Sequence, residues 1–173
     1  MASKSTMSTE IMKADVKTNI GLSDDSRKGV VEILNARLCD EYTLYTKTRK
    51  YHWNVTGPHF SELHKLFEAQ YEALDEAVDS VAERARALGG KAFGTLAEFS
   101  ENTSLEEAPG KNPDAEGMIK DLLEDYETLI NNLRRDLVLC VEKYGDAGTS
   151  DFLTGLMEEH EKTAWMLRSF LEK

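Results

Sequence analysis

The stretch HWNVTGPHFSELHKLFEAQYEALDEAVDSVAE, from His52 to Glu83, decides the fold. Gly57-Pro58 breaks the chain, and proline suits the first turn of a helix because the N–H it lacks has no intrahelical partner there. No further Gly or Pro comes before Gly89-Gly90, a helix stop. Phe60, Leu63, Phe67, Tyr71, Leu74 and Val78 recur every three or four residues, the period of a buried helical face. The segment therefore reads as one helix from about His59 to Leu88. On it His64 and Glu68 lie four apart and share a face, as do Asp79 and Glu83. Glu68 to Asp79 is 11 residues, close to three whole turns, so all four side chains fall near one stripe.

Axial rise limits what that stripe can do. Eleven residues separate the two pairs by about 16 Å, whereas first-row metals bond N or O at about 2 Å. One helix cannot bring both pairs to one ion; two antiparallel copies can. The four positions are symmetric about the midpoint between Ala73 and Leu74. A two-fold axis there lays His64 and Glu68 of one copy against Asp79 and Glu83 of the other, and an isologous interface makes two identical sites. His52, just before the turn, is placed to fold back toward His64. The result is a mixed imidazole–carboxylate site, which suits Fe(II), Mn(II) or Zn(II). Taken singly, acids at this spacing are usually a solvated face, and a lone His is usually a surface or core residue. The palindrome alone leaves the two readings balanced.

The rest of the chain supplies the bundle. Its 173 residues suffice for one domain with a core, and 31% charged with 40% hydrophobic residues fits a globular protein. No apolar run nears the ~20 residues of a membrane span. The start, MASKSTMSTEIMKADVK, lacks the apolar stretch of a signal peptide, and Glu10 and Asp15 argue against a transit peptide. Cys39 and Cys140 sit inside apolar helical patterns and read as isolated buried thiols of a reducing compartment. Residues 1–20 read as a flexible tail of net charge +1, with Lys4, Lys13 and Lys17 against Glu10 and Asp15; residues 21–173 read as the folded domain. The net charge of −11 argues against nonspecific nucleic-acid binding by the globular surface.

A first helix is expected after the Ser23-Asp24-Asp25-Ser26 cap, with a stripe of Val30, Leu34, Leu38, Tyr42 and Tyr45, running to about Asn54. Trp53 reads as a packed aromatic, and His59 as a non-ligand. The connection from Gly89 to Lys111 holds a short helix near Thr95–Ser100. A third long helix opens at Asn112-Pro113-Asp114, with Asn112 as cap, and carries Ile119, Leu122, Leu123, Tyr126, Ile130, Leu133, Leu137, Val141 and Tyr144 to the stop at Gly145. A fourth, capped by Thr149 or Ser150, runs to about Leu171 with a stripe of Phe152, Leu156, Ala164, Leu167 and Leu171. His160, among Glu158, Glu159 and Glu161, reads as part of a solvated charged face. The fold class is all-α: four long helices with a short extra helix in the connection between the second and third, and connections long enough to permit a ferritin-like four-helix bundle. No Glu is followed by His three residues later, so the usual intrachain di-iron pattern is missing. That again favours an interface site.

Two blocks at matching spacing, His52-Trp53-x-Val55-x-Gly57 with Leu63-His64 and Glu68, then Asp79-x-x-Ala82-Glu83-Arg84 with Leu88-Gly89-Gly90, resemble the signature of the Dps family, the mini-ferritins. The likeness extends from about Gly21 to the C-terminus. It implies an intersubunit ferroxidase site with His52, His64, Glu68, Asp79 and Glu83 as metal ligands and catalytic residues. It implies at most two irons per site, Fe(II) with H2O2 or O2 as reactants, and a dodecamer of two-fold dimers. Cytoplasmic location is expected, with nucleoid association left open. Glu68 stands where many members have Asp. The resemblance also places Trp53 beside the iron site and puts Asp146 and Asp151 at a three-fold pore, where Gly155 is neutral although relatives often carry a further acid. Lys-rich tails bind DNA in the family; this tail is thin, so DNA binding is expected to be weak or absent. The competing reading is a DNA-binding, nucleoid-compacting particle with little ferroxidase activity.

Overall fold

A computed structural model describes residues 17–172. The tail expected over residues 1–20 falls mostly on residues 1–16, outside the described residues. Five helices follow in order: α1 Asp24–Asn54, α2 Phe60–Ala87, α3 Leu96–Asn102, α4 Ala115–Glu142 and α5 Ala147–Leu171. Among the described residues there is no strand, and no helix is long and apolar enough to cross a membrane.

Local chemistry sets the helix ends. The Ser23 hydroxyl accepts the Ser26 N–H and opens α1, and Asp24 and Asp25 oppose the helix dipole in its first turn. Gly89, at φ +81°, closes α2 in a left-handed turn: the Gly89 N–H donates to Arg86 and the Gly90 N–H to Ala85. Gly90 itself lies against Val31, where an added Cβ would come within 2.5 Å of both γ-carbons. The Leu88-Gly89-Gly90 block is thus needed for close approach of α1 to the end of α2. A reciprocal capping box between Thr95 and Glu98 starts α3.

Two expected caps lie elsewhere. Asp114, not Asn112, caps α4: its carboxylate accepts the Gly117 N–H at 2.8 Å, and Pro113 stays outside the helix. Asp146, not Thr149 or Ser150, caps α5, accepting the Thr149 N–H at 2.9 Å and the Thr149 hydroxyl at 2.5 Å.

The α1–α2 and α4–α5 hairpins pack side by side, α1 touching α4 and α3 lying across α1. Val30, Leu34, Leu38, Phe67, Leu74, Leu122, Leu129, Leu133, Leu153 and Leu167 form the shared core. Three residues expected within apolar faces are exposed instead: Phe60, at the start of α2, Val141, at the end of α4, and Trp53. Cys39 and Cys140 are buried free thiols, each pushed up to about 12, chiefly by burial, and are inert at neutral pH.

Polar groups stitch the long connections to the bundle. The Asn35 amide donates to the Lys91 carbonyl and accepts the Phe93 N–H. Asp40, fully buried, pairs with Arg37 and accepts from Thr103 and Ser104. Lys47 pairs with Asp125 at 2.5 Å; burial raises the Asp125 pKa and Lys47 opposes that rise.

His160 departs most from the expectation. It is 5% exposed, inside the bundle, with Nε2 2.7 Å from the fully buried Glu41 carboxylate and its ring against Tyr126. The register explains this. His160 lies four residues from both Leu156 and Ala164, so it stands in the core stripe of α5 although its neighbours in sequence are acids.

Candidate metal centre

The last turn of α1 carries His52, and the second turn of α2 carries His64. The Val55–His59 link reverses the chain between them, with Gly57 at φ +108°. The reversal stacks the two imidazoles at 3.8 Å between centroids and 21° between planes. Each ring then bonds the other residue's backbone: His52 Nδ1 to the His64 carbonyl at 2.8 Å, and His64 Nδ1 to the His52 carbonyl at 2.9 Å. A carbonyl oxygen only accepts, so both Nδ1 atoms carry the proton. In the neutral ring this leaves Nε2 as the atom with the lone pair, the tautomer a metal ligand needs. Phe60 and Tyr71 wall the pair, with ring centroids 5.1 Å from His64 and 5.2 Å from His52.

Glu68 follows one turn after His64 and is half-buried. Asp79 and Glu83 lie farther along the same helix and are exposed. Within one subunit, among the described residues, no group of three or more His, Cys, Asp or Glu is placed to hold a metal. The two halves expected on α2 are therefore apart in the single chain. The fold brings His52 and His64 together but does not bring Asp79 or Glu83 to them. His59 is exposed beside Glu62.

Trp53 is 66% exposed and meets the Arg49 guanidinium 5.5 Å from its ring. The same guanidinium lies over Tyr45 and Tyr71 at 5.6 and 5.2 Å. Sequence reasoning missed this cluster. Its signal was the spacing of Tyr45, Arg49 and Trp53, three successive residues on one face of α1.

Asp146 is 4% exposed and pairs with Arg84 at 3.3 Å, so its charge is already committed to the α5 cap. Asp151 is exposed. Gly155 has open space where a Cβ would stand.

Comparisons with known proteins agree with this architecture. A ferritin-like domain family matches residues 31–173. An uncharacterised low temperature-induced protein of Nostoc sp. is 51% identical over 156 residues, covering 90% of this chain and 87% of that protein. DNA protection during starvation protein 2 of Bacillus anthracis is 40% identical over 146 residues, covering 84% and 99%. The crystal structure of a Dps protein from Bacillus brevis superposes with TM-score 0.82 at 32% identity, over 87% of this chain and 100% of that one. A Dps protein from Vibrio cholerae O1, described as a member of a broad superfamily of ferritin-like diiron-carboxylate proteins, gives 0.85 at 29% identity over 92% and 99%. With the matching family model, the relatives and the bundle all in accord, this chain belongs to the Dps family of ferritin-like proteins.

Proposed function

We propose that the protein is a mini-ferritin that oxidises Fe(II), preferentially with H2O2, at sites shared between two-fold-related subunits, and stores the Fe(III) product as mineral inside a dodecameric shell. The observation that carries this reading is the pair of reciprocal Nδ1–carbonyl bonds, which occupy both Nδ1 atoms and leave Nε2 of each ring as the atom to bind a metal. Iron is substrate and cargo here, at most two ions per site.

His52 and His64 hold one Fe(II) from one subunit, and Asp79 and Glu83 reach it from the other. The two carboxylates neutralise the ion's charge while the imidazoles fix its position. Glu68, one turn beyond His64, holds a second iron or a bridging water. Its longer arm, compared with Asp, sets that ion farther from the helix. Two Fe(II) ions side by side give peroxide both electrons at once, so no hydroxyl radical is released.

The relatives' names speak of DNA protection. Consuming iron and peroxide protects DNA without holding it, and a chain of net charge −11 with a tail of net +1 favours that mode. Site and shell are tested together. Size-exclusion should give one particle of shell size. Fe(II) plus H2O2 should then raise Fe(III) absorbance, and His52→Ala should slow that rise at least about tenfold. Wild-type oxidation no faster than buffer alone refutes the reading.

A further inference from the structure

We propose that Tyr71, Tyr45 and Tyr42 form an electron relay joining the two iron sites of a dimer through the body of one subunit, so that one Fe(II) at each site can jointly reduce one peroxide. The inference rests on the intersubunit ferroxidase reading above.

The relay is a run of ring contacts. The His52 ring meets Tyr71 edge-on at 5.2 Å, Tyr71 meets Tyr45 edge-on at 6.2 Å, and Tyr45 meets Tyr42 at 5.8 Å. All three separations are those of rings in contact. One end therefore touches a ligand histidine. At the other end Tyr42 lines the same hollow as Asp79, together with Asp75, Phe93 and Phe99. In a two-fold dimer each subunit gives its histidines to one site and its Asp79 and Glu83 to the other. The three tyrosines thus run from the histidine half toward the carboxylate half, bridging an axial gap of about 16 Å.

Arg49 sets the threshold. Its guanidinium lies over Tyr45 and Tyr71, donates to the Tyr45 hydroxyl, and leaves its Nε buried without a hydrogen-bond partner. A cation attracted to the face of a ring opposes removal of an electron from that ring. Only a strong oxidant, such as peroxide activated at the iron, then draws on the relay.

The electron count requires such a donor whenever a site holds one iron. Reducing H2O2 to two waters takes two electrons and two protons. One comes from the bound Fe(II), which becomes Fe(III). The other comes from Tyr71: its O–H proton and one solvent proton go to the two peroxide oxygens, the O–O bond breaks, and a neutral phenoxyl radical remains. The vacancy passes to Tyr45 and Tyr42 and is filled by Fe(II) at the second site, a proton returning to the phenoxyl oxygen. The sum is two Fe(II), one H2O2 and two protons giving two Fe(III) and two waters.

The experiment uses the assembled protein loaded with one Fe(II) per site, mixed with one H2O2 per two Fe(II), freeze-quenched for EPR and run in parallel with a hydroxyl-radical spin trap. Wild type should show a transient tyrosyl signal that narrows when the tyrosines are ring-deuterated, with few hydroxyl adducts. Tyr71→Phe, which keeps the ring packing, should lose the signal and raise the adducts several-fold. Tyr45→Phe should hold the radical on Tyr71 and prolong its life several-fold. A wild type without tyrosyl signal, a signal kept in Tyr71→Phe but lost in Trp53→Phe, or equal adducts in wild type and Tyr71→Phe overturns the relay alone, provided fully loaded wild type oxidises Fe(II). Failure of that oxidation overturns the ferroxidase reading and the relay with it.

Discussion

Mixing two defective subunits tests the shared site quantitatively. His64→Ala removes a ligand from the histidine half and leaves the His52 tautomer in place, because His52 Nδ1 donates to the backbone carbonyl of residue 64, not to its side chain. Asp79→Ala removes a ligand from the carboxylate half, on an exposed position with no core contact to lose. Each variant alone leaves every site with one defect. Random assembly of equal amounts makes half of all dimers mixed, and by two-fold symmetry each mixed dimer has one intact site and one with both defects. About one quarter of all sites are then whole. Co-expressed particles, with mixing confirmed by native mass spectrometry, should oxidise Fe(II) at about a quarter of the wild-type initial rate above the parental background. Were the site within one subunit, no intact site could arise at any ratio. A rate in mixed particles no higher than the mean of the two parents refutes the intersubunit assignment.

Four further outcomes are expected. His160→Leu strands the buried Glu41 carboxyl without its hydrogen-bond partner and should cost about 1–3 kcal/mol in denaturant unfolding, while Glu41→Leu with His160→Leu should recover most of it; equal losses for both variants would deny the pair its role. Hydrogen bonds from Gly94 and Thr95 hold the Glu98 carboxyl below its ordinary value of 4.5, so its support of α3 is present above that value and fades as pH falls through the lowered one; exchange of α3 amides should quicken there in wild type, and an acid limb matching that of Glu98→Ala would sink the argument. Asp151→Asn should slow Fe(II) uptake and Gly155→Asp, which has room for its side chain, should speed it, with unchanged rates in both counting against an acidic pore; Asp146→Ala is instead expected to weaken the α4–α5 turn by about 1 kcal/mol through the lost cap. Plasmid DNA should not be retarded by the assembled protein at about 150 mM salt, and a stable shift at neutral pH would contradict the charge argument.

Helix bounds were legible because their signals are local. Ser23, Gly57, Thr95 and Gly89 act through bonds to residues within a turn or two, and the structure uses each of them. The caps of α4 and α5 were misplaced for an equally local reason. Asn112, Asp114, Asp146, Thr149 and Ser150 can all cap a helix, and choosing among them depends on where tertiary packing starts the helix. Asp146 wins partly because Arg84, from α2, pairs with it. His160 was misread because its flanking acids outweighed its register. Its position relative to Leu156 and Ala164 already placed it in the core.

The site was legible by halves, and the division has a physical cause. His64 with Glu68, and Asp79 with Glu83, are pairs within one helix, so a 3.6-residue period reveals them. What suits the histidines to a metal is not in that period. The proton on each Nδ1 is fixed by a carbonyl 12 residues away in sequence, across a turn whose path depends on Gly57 and on burial of Val55. The aromatic cluster is likewise divided between α1 and α2, and Tyr71 taken as a simple core residue lies half-buried at the edge, against His52. Residues that act through a helix's own spacing are visible in a sequence. Residues that act through the crossing of two helices become visible only when the crossing is known, and Tyr45, Arg49 and Tyr71 belong to that second kind.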